Sequence, residues 1–148
     1  MLSYERLVAE HLEIEIEAAD LLHHAGHRPL DPTAIANSRW SFSRKLMAHL
    51  AKEDLLLYPM LRRKPVAEVA ALAAEAAGDV GGLRDAFKDY MRRWTSDGIA
   101  ADPDGFDRDT RAIVAALRER VLREESQLYP HIPGAPAAAK VDGRVRAA

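Results

Sequence analysis

Residues 49–61 read H-L-A-K-E-D-L-L-L-Y-P-M-L. Leu46, His49, Leu50, Glu53, Leu57 and Met60 recur at helical spacing on one face, the apolar face that a helix turns inward. An imidazole and a carboxylate share that face. His49 and Glu53 are i and i+4, so both point at the same spot. Polar groups on a core face must be paired or must bind something. The stretch also recurs: residues 120–132 read R-V-L-R-E-E-S-Q-L-Y-P-H-I, with Glu124, Leu128, Tyr129 and Pro130 in register with Glu53, Leu57, Tyr58 and Pro59. The copies lie 71 residues apart in a chain of 148, about half its length. This spacing predicts a duplicated helix pair, and so an all-α, up-down-up-down antiparallel four-helix bundle. The conspicuous mismatch between the copies is Arg120 against His49.

Composition narrows the function classes. With 21 basic and 23 acidic residues the net charge is −2, which leaves no electrostatic footprint for nucleic acid or an anionic membrane. The absence of cysteine excludes a disulfide framework and thiolate chemistry. The opening residues M-L-S-Y-E-R-L lack a signal-peptide pattern, and no apolar run is long enough to span a bilayer, so a soluble cytoplasmic protein is expected. Alanine is abundant, β-branched residues are sparse and no stretch alternates apolar with polar, which points to helices throughout.

Ser3 is the expected N-cap of a first helix whose inward stripe is Tyr4, Leu7, Val8, His11, Ile14, Ala18, Leu21, Leu22 and Ala25. It stops near Gly26, and Pro29 and Pro32 make the connection. The second helix is expected from Pro32 or Thr33 to Arg63, with Trp40, Leu46 and Leu50 facing in and Pro59 kinking or terminating it. Pro65 opens a third, weakened at mid-length by Gly78, Gly81 and Gly82, with Leu83, Phe87, Tyr90 and Trp94 resuming the stripe. Thr95 to Asp109 reads as a loop. Its aspartates lack the spacing of a calcium-binding EF-hand, so turns and N-caps are expected there. The fourth helix turns Ile113, Leu117, Arg120, Val121, Glu124 and Leu128 inward. Residues 1–132 therefore form the bundle, and residues 133–148 have little to bury and read as a flexible tail.

Three helices thus place polar residues on core stripes: His11, His49 with Glu53, and Glu124. Bundles build metal sites from such residues, and two imidazoles with two carboxylates suit non-haem iron, zinc or manganese. The plain alternative is a metal-free core in which Glu53 and Glu124 are salt-bridged to Arg120 and His11 is a satisfied core histidine. Glu15, one turn beyond His11, is either a spare ligand or a surface residue. His23, His24 and His27 suit the helix C-terminal dipole better than a surface metal site. Tyr58 and Tyr129, before prolines at helix ends, are expected to pack rather than react.

From Tyr4 to Ile132 the chain resembles hemerythrin-like domains, the HHE cation-binding family. The resemblance rests on His11, on His49-x-x-x-Glu53 followed by Leu57-Tyr58-Pro59, and on Glu124-x-x-x-Leu128-Tyr129-Pro130. It implies a four-helix bundle around a di-iron centre. One iron takes histidines from helices one and two, the other from helices three and four, and carboxylates from helices two and four bridge them. Carried over by position, His11, His49, Glu53 and Glu124 supply the first iron. The second lacks its terminal ligands: Arg120 stands where a histidine is expected, helix three has no histidine, and Gly82 matches His11, with Asp79 the nearest substitute. The resemblance therefore implies at most one non-haem iron or other divalent metal, in redox, oxygen or nitric-oxide sensing or in iron handling. Without metal, the bundle would serve as a protein-interaction or regulatory module. In either case Arg120 is expected to supply the charge of the second metal, with Gly81 and Gly82 leaving room for it.

Overall fold

The structure is a computed structural model that describes residues 2–137, apart from the side chains of residues 76–81. Helices α1 (Tyr4–Gly26), α2 (Pro32–Lys52), α3 (Tyr58–Arg62), α4 (Ala67–Arg93), α5 (Ser96–Ala101) and α6 (Pro103–Arg123) follow in chain order, and no strand occurs among the described residues. Their starts carry the caps the sequence advertises. Ser3 Oγ accepts from the Arg6 amide at 3.2 Å, and Asp31 accepts from Ala34 at 3.1 Å with Pro32 opening α2. Thr95 and Asp102 cap α5 and α6 through the amides of Gly98 and Gly105, at 3.1 and 3.0 Å.

Two π-helical turns interrupt this plan, and they occupy equivalent positions in the duplicated segments. Glu53–Leu57 joins α2 to α3, with the Tyr58 amide bonded to the Glu53 carbonyl. Glu124–Leu128 follows α6, with the Tyr129 amide bonded to the Glu124 carbonyl. A single-turn π-bulge absorbs an extra residue within a helix. Pro59 does not end its helix: the wider turn before it carries the chain on into α3. Pro130 sits in a short 3₁₀ turn, Tyr129–His131. A π turn also brings residue i+5 back over residue i, so both Tyr58 and Tyr129 face inward behind the glutamates that open the turns.

Cross-helix ion pairs give the directions. Between α1 and α2, Glu10 meets His49 and Lys52 while Glu17 meets Lys45, so the two run antiparallel. Glu15 of α1 meets Arg118 of α6, and Arg28, just past the end of α1, meets Asp104 near the start of α6, again antiparallel. On α4, Arg84 pairs with Asp54 of the first π turn, and Tyr90 shares a 2.7 Å hydrogen bond with Thr110 of α6. Two apolar clusters result. The larger contains Ile14, Leu46, Phe42, Phe87, Phe106 and Leu117, and the smaller contains Leu7, Leu57, Leu61, Val69 and Leu128. In sequence, His11 falls between Leu7 and Ile14, so the buried polar residues form a layer between the two.

Several expectations change. Trp40 is 69% exposed; Ser38 and Phe42, each two residues away and so nearly opposite on the helical wheel, take the inward positions. Thr95–Asp109 is not a loop: the two capping residues start α5 and α6 within it. The third helix begins at Ala67, after Pro65, and its backbone is helical through the glycines to Arg93. Glu15 pairs with Arg118 at the surface, at 2.6 Å. Asp79, Gly81 and the tail from residue 138 onward lie outside the described side chains and residues. No described helix is long and apolar enough to cross a membrane.

The contrast between two aromatic residues tests this packing. Phe87 is buried and meets Phe42 edge to face, with ring centroids 5.6 Å apart. Phe87→Ala is expected to cost about 3–5 kcal/mol in chemical denaturation. Trp40→Ala should stay within about 0.5 kcal/mol of the parent.

Candidate metal centre

The polar layer converges. His11, His49, Glu53 and Glu124 are all buried, and one ligand atom from each lies within 4.8 Å of the others. It is the one group of three or more potential metal ligands that meets this criterion among the described residues; the exposed His23 and His27 are not part of any such group. The imidazoles are aimed by their outer nitrogens. His49 Nδ1 lies 2.9 Å from Glu10 Oε2, and His11 Nδ1 lies 2.9 Å from Glu125 Oε1. A carboxylate there holds the hydrogen on Nδ1 and leaves a lone pair on Nε2, the arrangement that presents histidine to a metal. Burial holds the His49 imidazole below its usual range against the opposing pull of Glu10 and Glu124, so it is neutral at pH 7. Burial raises the Glu10 carboxyl, but hydrogen bonds from Lys52 and His49 outweigh that and leave it below the usual range.

On the other side of the layer, Arg120 spans both glutamates. Its Nη2 donates to Glu53 Oε1 at 2.9 Å and its Nε to Glu124 Oε1 at 3.0 Å. Desolvation opposes its charge, but Glu124 and Glu53 together more than offset it, and the guanidinium stays protonated. Two tyrosines complete the set in crossed fashion. Tyr58 of the first repeat donates to Glu124 Oε2 of the second at 3.2 Å, and Tyr129 of the second donates to Glu53 Oε2 of the first at 2.9 Å. The Tyr129 oxygen is also 2.9 Å from His11 Nε2 and 3.4 Å from His49 Nε2.

Proton and charge counting defines what this arrangement can do. Glu53 Oε2 and two imidazole lone pairs contend for the single hydrogen of the Tyr129 hydroxyl. Two carboxylates face one guanidinium, which leaves one negative charge unmatched. Burial, then the charge of Glu53, pushes the Glu124 carboxyl up to about 8, so without a further cation the site takes up a proton near neutrality. A divalent cation answers both shortages, and the donors suit it: imidazole nitrogens and carboxylate oxygens with oriented partners. Ligand distances of about 2.0–2.2 Å put donors up to about 4.4 Å apart. The observed spread of 4.8 Å is close to that, and the group fits a single ion after a small contraction.

The structure thus brings together all four residues singled out from the sequence, with Arg120 against both glutamates. The contributions of Glu10, Glu125 and the Tyr129 hydroxyl were missed. Glu10 and Glu125 each adjoin a candidate ligand in sequence, a weak signal because surface glutamates are common. Tyr58 and Tyr129 pack in the smaller apolar cluster, and in addition the π turns direct their hydroxyls to Glu124 and Glu53.

The family model of the hemerythrin HHE cation-binding domain matches residues 2–132, nearly all of the described chain. The protein therefore belongs to the hemerythrin HHE cation-binding family and carries a buried His/Glu cluster able to bind a metal. Neither the curated proteins nor the solved structures compared with it contain a match.

Removal of the guanidinium tests the charge count. In metal-free protein, Arg120→Ala is expected to lose roughly 3–5 kcal/mol of unfolding free energy, because it strands buried carboxylates. Titration with Mn²⁺ or Zn²⁺ should recover part of that loss through binding to the folded state. A neutral substitution would show that Arg120 does not balance the glutamates.

Proposed function

We propose that this protein holds one divalent metal ion, non-haem iron by preference, through His11 Nε2, His49 Nε2, Glu53 and Glu124, and works in the cytoplasm in redox, oxygen or nitric-oxide sensing or in iron handling. The observation that carries this reading is the convergence of two imidazole nitrogens and two carboxylates around the single hydrogen of the Tyr129 hydroxyl. Bound there, iron supplies a one-electron couple and affinity for a diatomic gas. The chain's own residues supply the rest. Glu10 and Glu125 fix the imidazole tautomers, and Lys52 anchors Glu10 in turn. Tyr129 holds a hydroxyl among the donors and gives its hydrogen to Glu53 Oε2, which keeps that carboxylate oriented. The apolar clusters above and below limit water and favour a small neutral ligand.

One ion, rather than two, follows from Arg120. Its guanidinium already bonds Glu53 Oε1 and Glu124 Oε1, the oxygens a second cation would need, and neither α4 nor α6 carries a histidine to hold one. The same contacts favour a second reading. The Arg120–Glu53–Glu124 network with both tyrosines is close to self-sufficient once Glu124 is protonated, as a metal-free helical module for protein interaction would require.

Metal analysis separates the two. Protein grown with iron and purified without chelator should contain close to one metal per chain and never two. A content near zero, unchanged by anaerobic addition of ferrous iron, selects the metal-free module. His49→Ala should abolish binding. Glu10→Ala, which frees the far side of that imidazole, should weaken it about 10–100-fold, measured by competition with a chelating dye.

A further inference from the structure

A second cavity lies at the other end of the helices, where the α1–α2 connection and the starts of α2, α5 and α6 meet. It encloses about 340 Å³, within the range of small-molecule pockets. Leu30, Ile35, Ile99 and Pro103 supply apolar walls, and Arg28 and Arg39 supply charge. It is remote from the candidate metal centre: Ile35 and His49 are fourteen residues apart on one helix, about 21 Å along its axis.

The two arginines differ in a way that matters. Arg28 is answered, by Asp104 at 2.9 Å and by the carbonyls of Ala25 and His27. Arg39 is not. Among the described residues no carboxylate pairs with it. Its Nε is buried with no hydrogen-bond partner, and its Nη2 reaches only the Met91 carbonyl at 3.5 Å and the Met91 sulfur at 3.3 Å. Its guanidinium lies over the rings of Tyr90 and Phe106, 5.6 and 5.7 Å from their centroids. Those contacts stabilise a cation modestly and leave its Nε without an acceptor. Burial correspondingly pushes the Arg39 pKa down. A half-buried guanidinium with an orphaned donor, at the wall of an apolar cavity, lacks an anion.

We infer that this cavity is a binding site for a small amphipathic carboxylate, whose head pairs with the Arg39 guanidinium and whose aliphatic or aromatic body lies against Leu30, Ile35 and Ile99. The planar fork of arginine matches a carboxylate in two parallel hydrogen bonds, which a neutral alcohol cannot reproduce. The site stands on this geometry alone and does not depend on metal binding at the other end.

The test uses the full chain with octanoate and octan-1-ol as probes, read by titration calorimetry and by the methyl resonances of Leu30, Ile35 and Ile99. Octanoate should bind one per chain and shift those methyls, at least tenfold more tightly than octan-1-ol. Arg39→Gln should reduce octanoate to the affinity of the alcohol and leave the alcohol unchanged. Ala36→Trp, which adds bulk at an exposed position of the cavity wall, should block both probes, and it decides the matter if Arg39→Gln does not fold. Equal affinities for acid and alcohol, octanoate binding that survives both substitutions, or shifts confined to other methyls would each overturn the assignment.

Discussion

The carboxylate of Glu53 has no exposure to solvent and sits where four helical segments meet. A charge in that position is tolerated only if its neighbours replace water. They do so from two sides, the Arg120 guanidinium from α6 and the Tyr129 hydroxyl from beyond the second π turn, while the His49 imidazole lies 3.2 Å away, one turn earlier on α2. Each of these in turn constrains another residue. Arg120 ties Glu124, Tyr129 ties His11, and His49 ties Glu10. The apolar clusters on either side hold the helices together, and this layer selects one register among those their stripes allow.

The π turns are the local device that makes the layer possible. In an unbroken α-helix a residue five positions on from Glu53 would swing away from it. The wider turn returns it, so that a glutamate and a tyrosine of each repeat face the core together. The repeats then complete each other, Tyr58 serving Glu124 and Tyr129 serving Glu53. The symmetry breaks at His49 and Arg120. One half presents lone pairs and the other presents a fixed positive charge, so a site with the outline of two ions has donors for one. The charge balance expresses the same fact: Arg120 neutralises one carboxylate, and a metal or a proton on Glu124 must neutralise the other.

The two ends of the molecule illustrate opposite treatments of buried arginine. Arg120 is enclosed by two carboxylates and makes the interior more specific. Arg39 is enclosed by aromatic faces and a thioether, with no acid to answer it, beside a cavity that a ligand can enter. Each keeps one buried nitrogen without an acceptor, Nη1 of Arg120 and Nε of Arg39; what separates them is that Arg120 has carboxylate partners within the chain and Arg39 has none among the described residues.

Much of this was written in the order of residues. A helical period with imidazole and carboxylate on its apolar side, repeated after 71 residues, determines a helical bundle with His11, His49, Glu53 and Glu124 inside it, because side chains one turn apart share a face whatever the helix packs against. The capping residues likewise announce helix starts by local hydrogen bonds. What the sequence could not decide was set by contacts between distant segments. Trp40 reads as a core residue by its size, but it lies nearly opposite Ser38 and Phe42 around α2, and those two take the core. Tyr129 reads as a packing residue beside a proline until the π turn rotates its hydroxyl among donors 76 to 118 residues away. Glu10 and Glu125 look like any surface glutamate until an imidazole from another helix arrives. Periodicity reports which face of a helix is buried; which polar atoms meet across the interior depends on the rotation and depth of each helix, and only the packed structure settles those.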